Sequence, residues 1–287
     1  MTRGILIFTV LLLGLAGAIW SAGAWLASRA EAPIGPVPPN LMALAAREVA
    51  FPSASGARIE GWFVERSNAP ATILLMHGVR ANRLSMVARA KWLAREGYSV
   101  LLFDFQGHGE SGGDRITFGH LESRDARAAV QYLRRERPEE KIGVIGVSLG
   151  GAAALLAEPP LDVQAMILES VYPTIEEAVR DRLVMRLGAL GGWLTPLLTG
   201  QLRPRLGVGP EALRPIDRAG KLAVPKFFLH GEADRHTTLR EARALADAAA
   251  APKQFWMISG AGHVDLHEYA GREYERRVLA FFRERGL

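Results

Sequence analysis

Residues 141–156, KIGVIGVSLGGAAALL, constrain the fold of this chain more than any other stretch. The apolar run Ile142 to Val147 predicts a buried strand, and the small residues that follow predict the start of a helix. Ser148 lies between them in the string Gly-Val-Ser-Leu-Gly. A serine at such a turn has a strained backbone that pushes its hydroxyl out of the sheet, and flanking glycines avoid collisions with neighbouring backbone. Ser148 is therefore the candidate nucleophile.

Two polar residues downstream are candidate partners for this serine. A serine hydroxyl is a poor nucleophile until a base removes its proton, and a third group must orient that base. Asp234 follows the predicted strand FFLH (227–230), and His263 follows the predicted strand QFWMI (254–258). All three residues come just after the carboxyl ends of predicted strands, where open α/β sheets hold their sites. The order Ser, Asp, His is the one expected of this topology.

From residue 58 onward, short apolar strands alternate with helical patterns. This alternation predicts an α/β fold with a mostly parallel central sheet and helices on both of its faces. The predicted strands are 58–64, at the edge of the sheet, and 72–76, 99–103, 142–147, 165–168, 227–230 and 254–258. Besides the helix that follows Ser148, the predicted helices are 85–96, 120–136, 175–187, 237–250 and 265–285.

One interval breaks the alternation. Residues 171–225 separate two late strands by far more than one crossover needs, and they contain the apolar, glycine- and proline-broken string GALGGWLTPLLTG. An insertion at the carboxyl edge of the sheet would cover the site. We therefore expect a helical lid whose apolar residues line an acyl pocket and lean on a membrane. The alternative is that these residues extend the core.

The N-terminal segment has the character of a membrane span. Between Arg3 and Arg29 lie 25 uncharged residues, of which 20 in a helix would cross a hydrocarbon core of about 30 Å. A cleaved signal peptide is the alternative, with Ala22-Gly23-Ala24 as the cleavage pattern. Tryptophans at positions 20 and 25 suit a membrane interface and favour a retained anchor.

The charge at the start of the chain predicts its orientation. Arg3 and the terminal amine on the short side place the N-terminus in the cytoplasm and the rest of the chain outside it, either anchored by a single pass or secreted after cleavage. The string APIGPVPPN predicts a stiff spacer without helix or sheet. We therefore divide the chain into an anchor or signal segment (1–30), a spacer (31–47) and a globular domain (48–287), with 171–225 inserted in that domain.

The composition of the chain excludes several kinds of site and partner. The chain has no cysteine, which excludes disulfides, thiolate zinc sites and a cysteine nucleophile. With 49% hydrophobic and 23% charged residues among 287, it suits one large globular domain. The net charge is +5, and the arginines are scattered over predicted helices, which indicates a solvated basic surface rather than a nucleic-acid partner. Because the N-terminal segment suits a membrane, we expect this basic surface to be attracted to anionic lipid headgroups rather than to nucleic acid.

Five motifs together resemble a known family. They are the serine turn, His77-Gly78, residues 104–111 (DFQGHGES), Gly231 to Asp234, and Gly262-His263. Over residues 48–287 the chain resembles the serine hydrolases of the α/β-hydrolase family, in the lid-bearing branch of esterases, monoacylglycerol lipases and serine aminopeptidase-like proteins.

The resemblance implies a role for each candidate residue. It makes Ser148 the nucleophile, Asp234 the orienting acid and His263 the general base. It places the oxyanion hole at the backbone N–H groups of Val79 and Leu149. It implies no cofactor, and no metal is expected because the pair of histidines at 263 and 267 lacks an HExxH pattern.

The sequence departs from the family at two places. Gln106 stands where relatives usually have arginine, which we expect to alter packing rather than chemistry. Arg235-His236-Thr237-Thr238 follows Asp234 where many relatives have an apolar residue and then proline. This departure makes His236 a competing candidate for the base.

Several functions remain open at this point. A carboxylic ester or acylglycerol, cleaved at a membrane surface, is the first substrate class because the predicted lid is apolar. A peptidase with the same triad would need a charged group to hold a peptide terminus, and Glu169, Glu176 or Glu177 are candidates. A non-catalytic binding protein on the same fold is a further alternative. A dehalogenase would require aspartate at position 148. The natural substrate, its acyl-chain length and the oligomeric state do not follow from the sequence.

Overall fold

The computed structural model describes residues 3–287, and these fold around one twisted sheet. The strands are β1 (Ala30–Glu31), β2 (Ala46–Pro52), β3 (Arg58–Val64), β4 (Thr72–Met76), β5 (Ser99–Phe103), β6 (His108–Gly109), β7 (Ile142–Val147), β8 (Ala165–Glu169), β9 (Lys226–Gly231) and β10 (Lys253–Ile258). The helices are α1 (Arg3–Ala27), α2 (Pro39–Met42), α3 (Val87–Arg95), α4 (His120–Glu136), α5 (Leu149–Leu156), α6 (Ile175–Leu187), α7 (Thr195–Thr199), α8 (Leu202–Leu206), α9 (Pro215–Ala219), α10 (Leu239–Ala248) and α11 (Leu266–Glu284). Short 3-10 turns are at Arg83–Met86, Ala189–Leu194 and Pro210–Ala212.

The sheet has the strand order β10-β9-β8-β7-β4-β5-β3-β2. Only β3 runs in the opposite direction to the other seven strands, so the predicted mostly parallel sheet is confirmed. The strands β4, β5 and β8 are buried along their whole length, because helices cover both faces. The helices α4, α5 and α10 contribute to the core on one face, and α3 and α11 to the core on the other.

The sequence patterns predicted the central strands at the positions where the structure has them. The strands β3, β4, β5 and β7 and the helices α4 and α6 have the predicted bounds. The prediction that β3 is the edge is wrong, because β2 pairs with it on the outside. In β2 the adjacent charges Arg47 and Glu48 interrupt the alternation of buried and exposed residues, so the sequence gives little sign of this half-exposed edge strand.

The proline-rich segment lies against the domain, contrary to the prediction of a spacer without helix or sheet. The single turn α2 begins at Pro39, where proline lacks only an N–H that a helix start leaves unpaired. Leu41 in this turn is fully buried. The backbone N–H groups of Ile34 and Gly35 donate to Glu110 Oε1 at 3.1 and 3.2 Å. Contacts with residues distant in sequence therefore order a segment whose composition suggests a free linker.

The first helix, α1, docks on the insertion by its C-terminal half. Gln201 Nε2 donates to the Ile19 carbonyl oxygen at 3.1 Å, and Arg205 Nη2 donates to that of Trp20 at 2.6 Å. The guanidinium of Arg205 also lies 3.9 Å above the Trp20 ring. Residues Ile5–Ala27 have a mean hydropathy of 2.3, and by length and composition alone they are able to cross a bilayer, as a signal sequence also would be. Before Ile19, the residues of α1 whose exposure is described are all exposed.

Candidate active site

Ser148 occupies the sharp turn between β7 and α5. Its φ is 48° and its ψ is −106°, a conformation that side chains rarely adopt and that the surrounding structure must enforce. A Cβ on Gly146 would lie 2.6 Å from the Gly151 nitrogen, and one on Gly150 would collide with the Met76 carbonyl oxygen. The Ser148 N–H donates to the Glu169 carbonyl oxygen at 2.7 Å. The glycines and this hydrogen bond together hold the strained turn.

Asp234 and His263 meet at the carboxyl ends of β9 and β10. His263 Nδ1 lies 2.7 Å from Asp234 Oδ2. The other carboxylate oxygen, Oδ1, accepts from the N–H groups of His236 at 2.8 Å and Thr237 at 3.1 Å. Burial raises the pKa of Asp234, but the hydrogen bond and charge of His263 and the Thr237 N–H outweigh it, so this pKa lies below its ordinary value. Asp234 is thus an ionised acceptor that fixes Nδ1 as the protonated nitrogen of the His263 ring.

The competing histidine, His236, has a different position. Its ring stacks on that of His263 with centroids 4.8 Å apart, and only its backbone N–H is bonded to Asp234. His230 is buried, and its Nε2 lies 3.0 Å from the Thr237 carbonyl oxygen. The imidazole that Asp234 orients is therefore that of His263. Within residues 3–287 no hydrogen bond joins Ser148 Oγ to this ring, and such catalytic contacts often tighten only when substrate is present.

Two buried histidines shape the loop after β4. His77 Nε2 accepts from the Phe105 N–H and His108 Nε2 from the Arg80 N–H, both at 3.1 Å. Burial, together with the neighbouring His108, lowers the pKa of His77 to about 3, so His77 is a neutral acceptor. The loop they support brings Val79 to the cavity beside Ser148.

The N–H groups predicted to form the oxyanion hole face no partner. Leu149 is the first residue of α5, where helix N–H groups lack intrahelical acceptors. Over the described range 3–287, neither the Leu149 nor the Val79 N–H makes a backbone or side-chain hydrogen bond. Val79, Ser148 and Leu149 all line one cavity. Two free donors beside a serine are suited to stabilise a developing oxyanion.

The cavity beside Ser148 has a volume of about 260 Å³ and a mainly apolar wall. Its wall is built by Ala22, Trp25, Leu26, Val79, Arg80, Phe118, Ser148, Leu149, Tyr172, Ile175, Ala178, Val179, Arg182, Leu183, Arg186 and Leu198. Half of these residues come from the insertion 171–225, and three come from α1. Sequence reasoning missed the contribution of α1. The small residues of Ala22-Gly23-Ala24 were its sequence signal, since Gly23 packs directly against Gln201.

The three carboxylates considered as binding groups for a peptide terminus pair with other residues of the chain. Glu169 is 1% exposed, and its carboxylate accepts from Arg89 Nη2 at 2.8 Å and from the Tyr274 hydroxyl at 2.5 Å. Glu177 accepts from Thr174 Oγ1 at 2.9 Å in the cap of α6, and Glu176 lies 3.6 Å from an arginine of the insertion. None of the three lines the cavity.

Gln106 and His267 have structural partners. Gln106 Nε2 donates to the Arg115 carbonyl oxygen at 2.6 Å and to Glu122 Oε1 at 3.1 Å. Gln106 is therefore bonded to the loop before α4 and to α4 itself. His267 Nε2 lies 3.0 Å from Glu275 Oε1. In the part of the chain that the structure describes, no group of three His, Asp or Glu side chains is arranged to hold a metal ion.

The sheet, the serine turn and the Asp234–His263 pair define an α/β hydrolase. The chain belongs to the serine aminopeptidase S33 family of hydrolases, whose family model matches residues 67–214.

Comparison with individual proteins gives the same fold. The chain is 26% identical to uncharacterized protein YqkD of Bacillus subtilis, over 80% of this chain and 77% of YqkD. It is 32% identical to thiohydrolase aneE of Aspergillus aculeatus, over 48% of this chain and 44% of aneE. The Pyrococcus furiosus esterase Pf2001 superposes with a TM-score of 0.73 at 23% identity, covering 88% of this chain and 95% of the esterase.

Proposed function

We propose that this hydrolase is a serine esterase that cleaves acyl esters at a membrane surface. The observation that carries this proposal is the position of Ser148, on a strained turn in the wall of an apolar cavity and beside two unpaired N–H groups. The cavity has room for an acyl chain, and α1 keeps it near lipid. The proposed site residues are Ser148, Asp234 and His263, with Val79 and Leu149 as oxyanion donors.

The mechanism follows from these positions. His263 takes the proton of Ser148 Oγ as that oxygen attacks the substrate carbonyl, and Asp234 stabilises the imidazolium that forms. The Val79 and Leu149 N–H groups hold the tetrahedral oxyanion, one such donor being worth about 2.7 to 4 kcal/mol of transition-state stabilisation. The protonated His263 then gives its proton to the leaving alcohol. Water cleaves the acyl-enzyme with the same histidine as base.

Cleavage of an amino-terminal residue from a peptide is disfavoured by the charges of the cavity. A site for an amino terminus needs an anionic group, and no carboxylate lines this wall. The Glu169 carboxylate accepts hydrogen bonds from Arg89 and Tyr274. The thiohydrolase relative supports acyl-transfer chemistry on this scaffold and makes thioesters reasonable test substrates.

We further propose that the insertion 171–225 acts as a lid and that α1 is a retained anchor. In this arrangement the hydrolase domain lies outside the cytoplasm. The retained anchor is supported by its contacts, because Trp25 and Leu26 line the cavity. Cleavage after Ala24 would separate these residues from the helix that places them.

A fluorophosphonate probe tests the catalytic part of the proposal. The detergent-solubilised full chain should be labelled, and Ser148→Ala and His263→Gln should not be. His236→Gln is the matched control, because its ring stacks on His263 without bonding to Asp234 through a side-chain nitrogen. Equal labelling of folded Ser148→Ala and wild type would refute the assignment of the nucleophile. Loss of labelling in His236→Gln with retention in His263→Gln would move the base to His236.

A further inference from the structure

The charged residues of the cavity wall are all arginines. Arg80, Arg182 and Arg186 line it, and none of the other lining residues is acidic. Arg80 is held by α1, since its Nη1 donates to the carbonyl oxygens of Trp25 at 3.1 Å and Ser28 at 3.3 Å. Arg182 and Arg186 are one turn apart on α6, so their side chains project from the same face of the helix.

Arg182, which is half-buried, has different partners from the buried arginines Arg83 and Arg89. Arg83, which is 3% exposed, pairs with Asp104 and Glu110, and Arg89, which is 1% exposed, pairs with Glu169 and Asp265. Arg182 is half-buried, and its Nη1 donates to the carbonyl oxygens of Ala178 at 2.7 Å and His236 at 3.4 Å rather than to a carboxylate.

Arg182 and Arg186 are free of salt bridges within residues 3–287. The acidic residues near Arg182 are engaged with other groups. Asp234 is bonded to His263, and Asp181 interacts with Glu241. A desolvated guanidinium outside a salt bridge is costly, and burial lowers the pKa of Arg182 although the charges of Tyr172, Asp234 and Asp181 act to raise it. A ligand that carries an anion would offset this cost.

We propose that Arg182 and Arg186 form a subsite for an anionic group of the substrate. Guanidinium groups bind carboxylate and phosphate through paired hydrogen bonds, so both anions fit the same chemistry. The substrate is then an acyl ester that bears a carboxylate or phosphate, with its scissile carbonyl at Ser148 and its anion on α6. This inference rests on the proposed esterase function, and it names the substrate class.

Selectivity between matched substrates tests the subsite. The pairs are the mono-p-nitrophenyl ester of adipic acid against its methyl-capped form, and a 1-acylglycerol 3-phosphate against the 1-acylglycerol. We expect wild type to prefer the anionic member of at least one pair by tenfold or more in kcat/KM. The pair that shows the preference separates carboxylate from phosphate.

Substitutions on α6 test whether Arg182 and Arg186 cause the preference for the anionic substrate. Arg182→Gln and Arg186→Gln should each reduce the anionic-to-neutral ratio by about tenfold, mainly through KM. The control is Arg180→Gln, on the same helix but outside the cavity wall, which should retain the ratio. Arg186 is exposed, so its variant remains informative if Arg182→Gln unfolds. A wild type that does not discriminate, or ratios unchanged in both variants, would overturn the proposal.

A binding measurement separates this inference from the esterase function. Ser148→Ala is titrated calorimetrically with decanoate, decyl phosphate and uncharged decanol. Tighter binding of an anion than of decanol, weakened about tenfold by Arg186→Gln, supports the subsite even if no ester is hydrolysed. Equal binding of all three would reject it, whatever the hydrolytic activity.

Discussion

Trp25 in the last turns of α1 lies under Arg80 of the loop predicted to form the oxyanion hole. The Arg80 guanidinium is 4.5 Å from the Trp25 ring centroid, and its Nη1 donates to the Trp25 carbonyl oxygen. Arg80 has a φ of 57°, and its N–H donates to His108. The apolar N-terminal helix is thus in direct contact with the residue next to Val79.

This contact predicts that Trp25→Ala impairs the hydrolysis of long-chain esters. The substitution removes a cation–π contact worth about 0.5 to 2 kcal/mol and opens the cavity wall. We expect kcat/KM to fall about three- to tenfold, measured with the full chain in nanodiscs. The control is Trp20→Ala, which loses the contact with Arg205 but lies outside the cavity wall. Equal losses in both variants would show that only docking of α1 matters.

Asp234→Asn should leave the fold intact but reduce kcat by about 10⁴-fold, since an amide no longer secures the imidazole tautomer or the imidazolium. The burst and steady-state rates with a p-nitrophenyl ester measure this. The control is Asp247→Asn, an exposed position on α10. A loss of less than tenfold in a variant with wild-type thermal stability would contradict the role of Asp234.

Gly150→Ala should destabilise the protein and abolish fluorophosphonate labelling. The added Cβ would press on the Met76 carbonyl oxygen in the adjacent strand β4, a backbone atom that cannot yield without moving the sheet. Overpacking of this kind costs about 1 to 3 kcal/mol. Urea unfolding measures the loss, with Gly14→Ala on exposed α1 as control because no atom lies within 4 Å of its Cβ position. A labelled variant of unchanged stability would argue against the strained turn.

The serine turn, the positions of the central strands and the placement of Asp234 and His263 after strand ends were accessible from sequence because each depends on a local pattern. The pairing of Asp234 with His263 follows from strand ends that meet at one edge of the sheet. By contrast, the docking of α1 and the ordering of the proline-rich segment depend on partners 70 to 180 positions away, such as Glu110 and Gln201. No periodicity in either segment encodes those partners.

The sequence analysis also did not predict the arginines of the cavity wall. In the sequence, Arg182 and Arg186 are two of the arginines scattered over the predicted helices, and only the fold shows that they face a cavity without acidic residues.

The buried carboxyl of Asp125 leads to a prediction about how the stability of the protein depends on pH. Burial raises the pKa of this carboxyl to about 7, although Ser53 Oγ and the Gln106 N–H bond to it. The ordinary value in an unfolded chain is about 3.9. Because the folded form holds the proton more tightly, the stabilisation is present below about pH 4 and is lost as the pH rises towards 7.

We therefore expect the free energy of unfolding in urea to depend less on pH between 5 and 8 in Asp125→Asn than in wild type. Asp247→Asn, at an exposed position, should keep the wild-type dependence. Parallel pH profiles for wild type and Asp125→Asn would show that Asp125 is ionised in the folded protein throughout this range.

The exposed apolar residues of the insertion lead to a prediction about membrane depth. Leu190 is 78% exposed and Trp193 is 81% exposed, in the 3-10 turn between α6 and α7. At about 1.5 Å per residue from Arg3, a hydrocarbon core of about 30 Å ends near Gly23 of α1. Gly23 packs against Gln201 of the insertion, so the proposed retained anchor would place the insertion at the level of the membrane interface. We expect Leu190 and Trp193 to enter the outer part of the leaflet.

Because the chain contains no cysteine, a single introduced cysteine reports on one position. A bimane label at Leu190→Cys, in full-length protein reconstituted into vesicles, should be quenched by lipids that carry a nitroxide near the headgroup end of the acyl chain. The control is Glu139→Cys, an exposed position before β7 at the opposite edge of the sheet from Ser148. That label should respond to aqueous iodide instead. Iodide quenching of both labels, with no effect of the nitroxide lipids, would place the insertion in water and contradict this prediction.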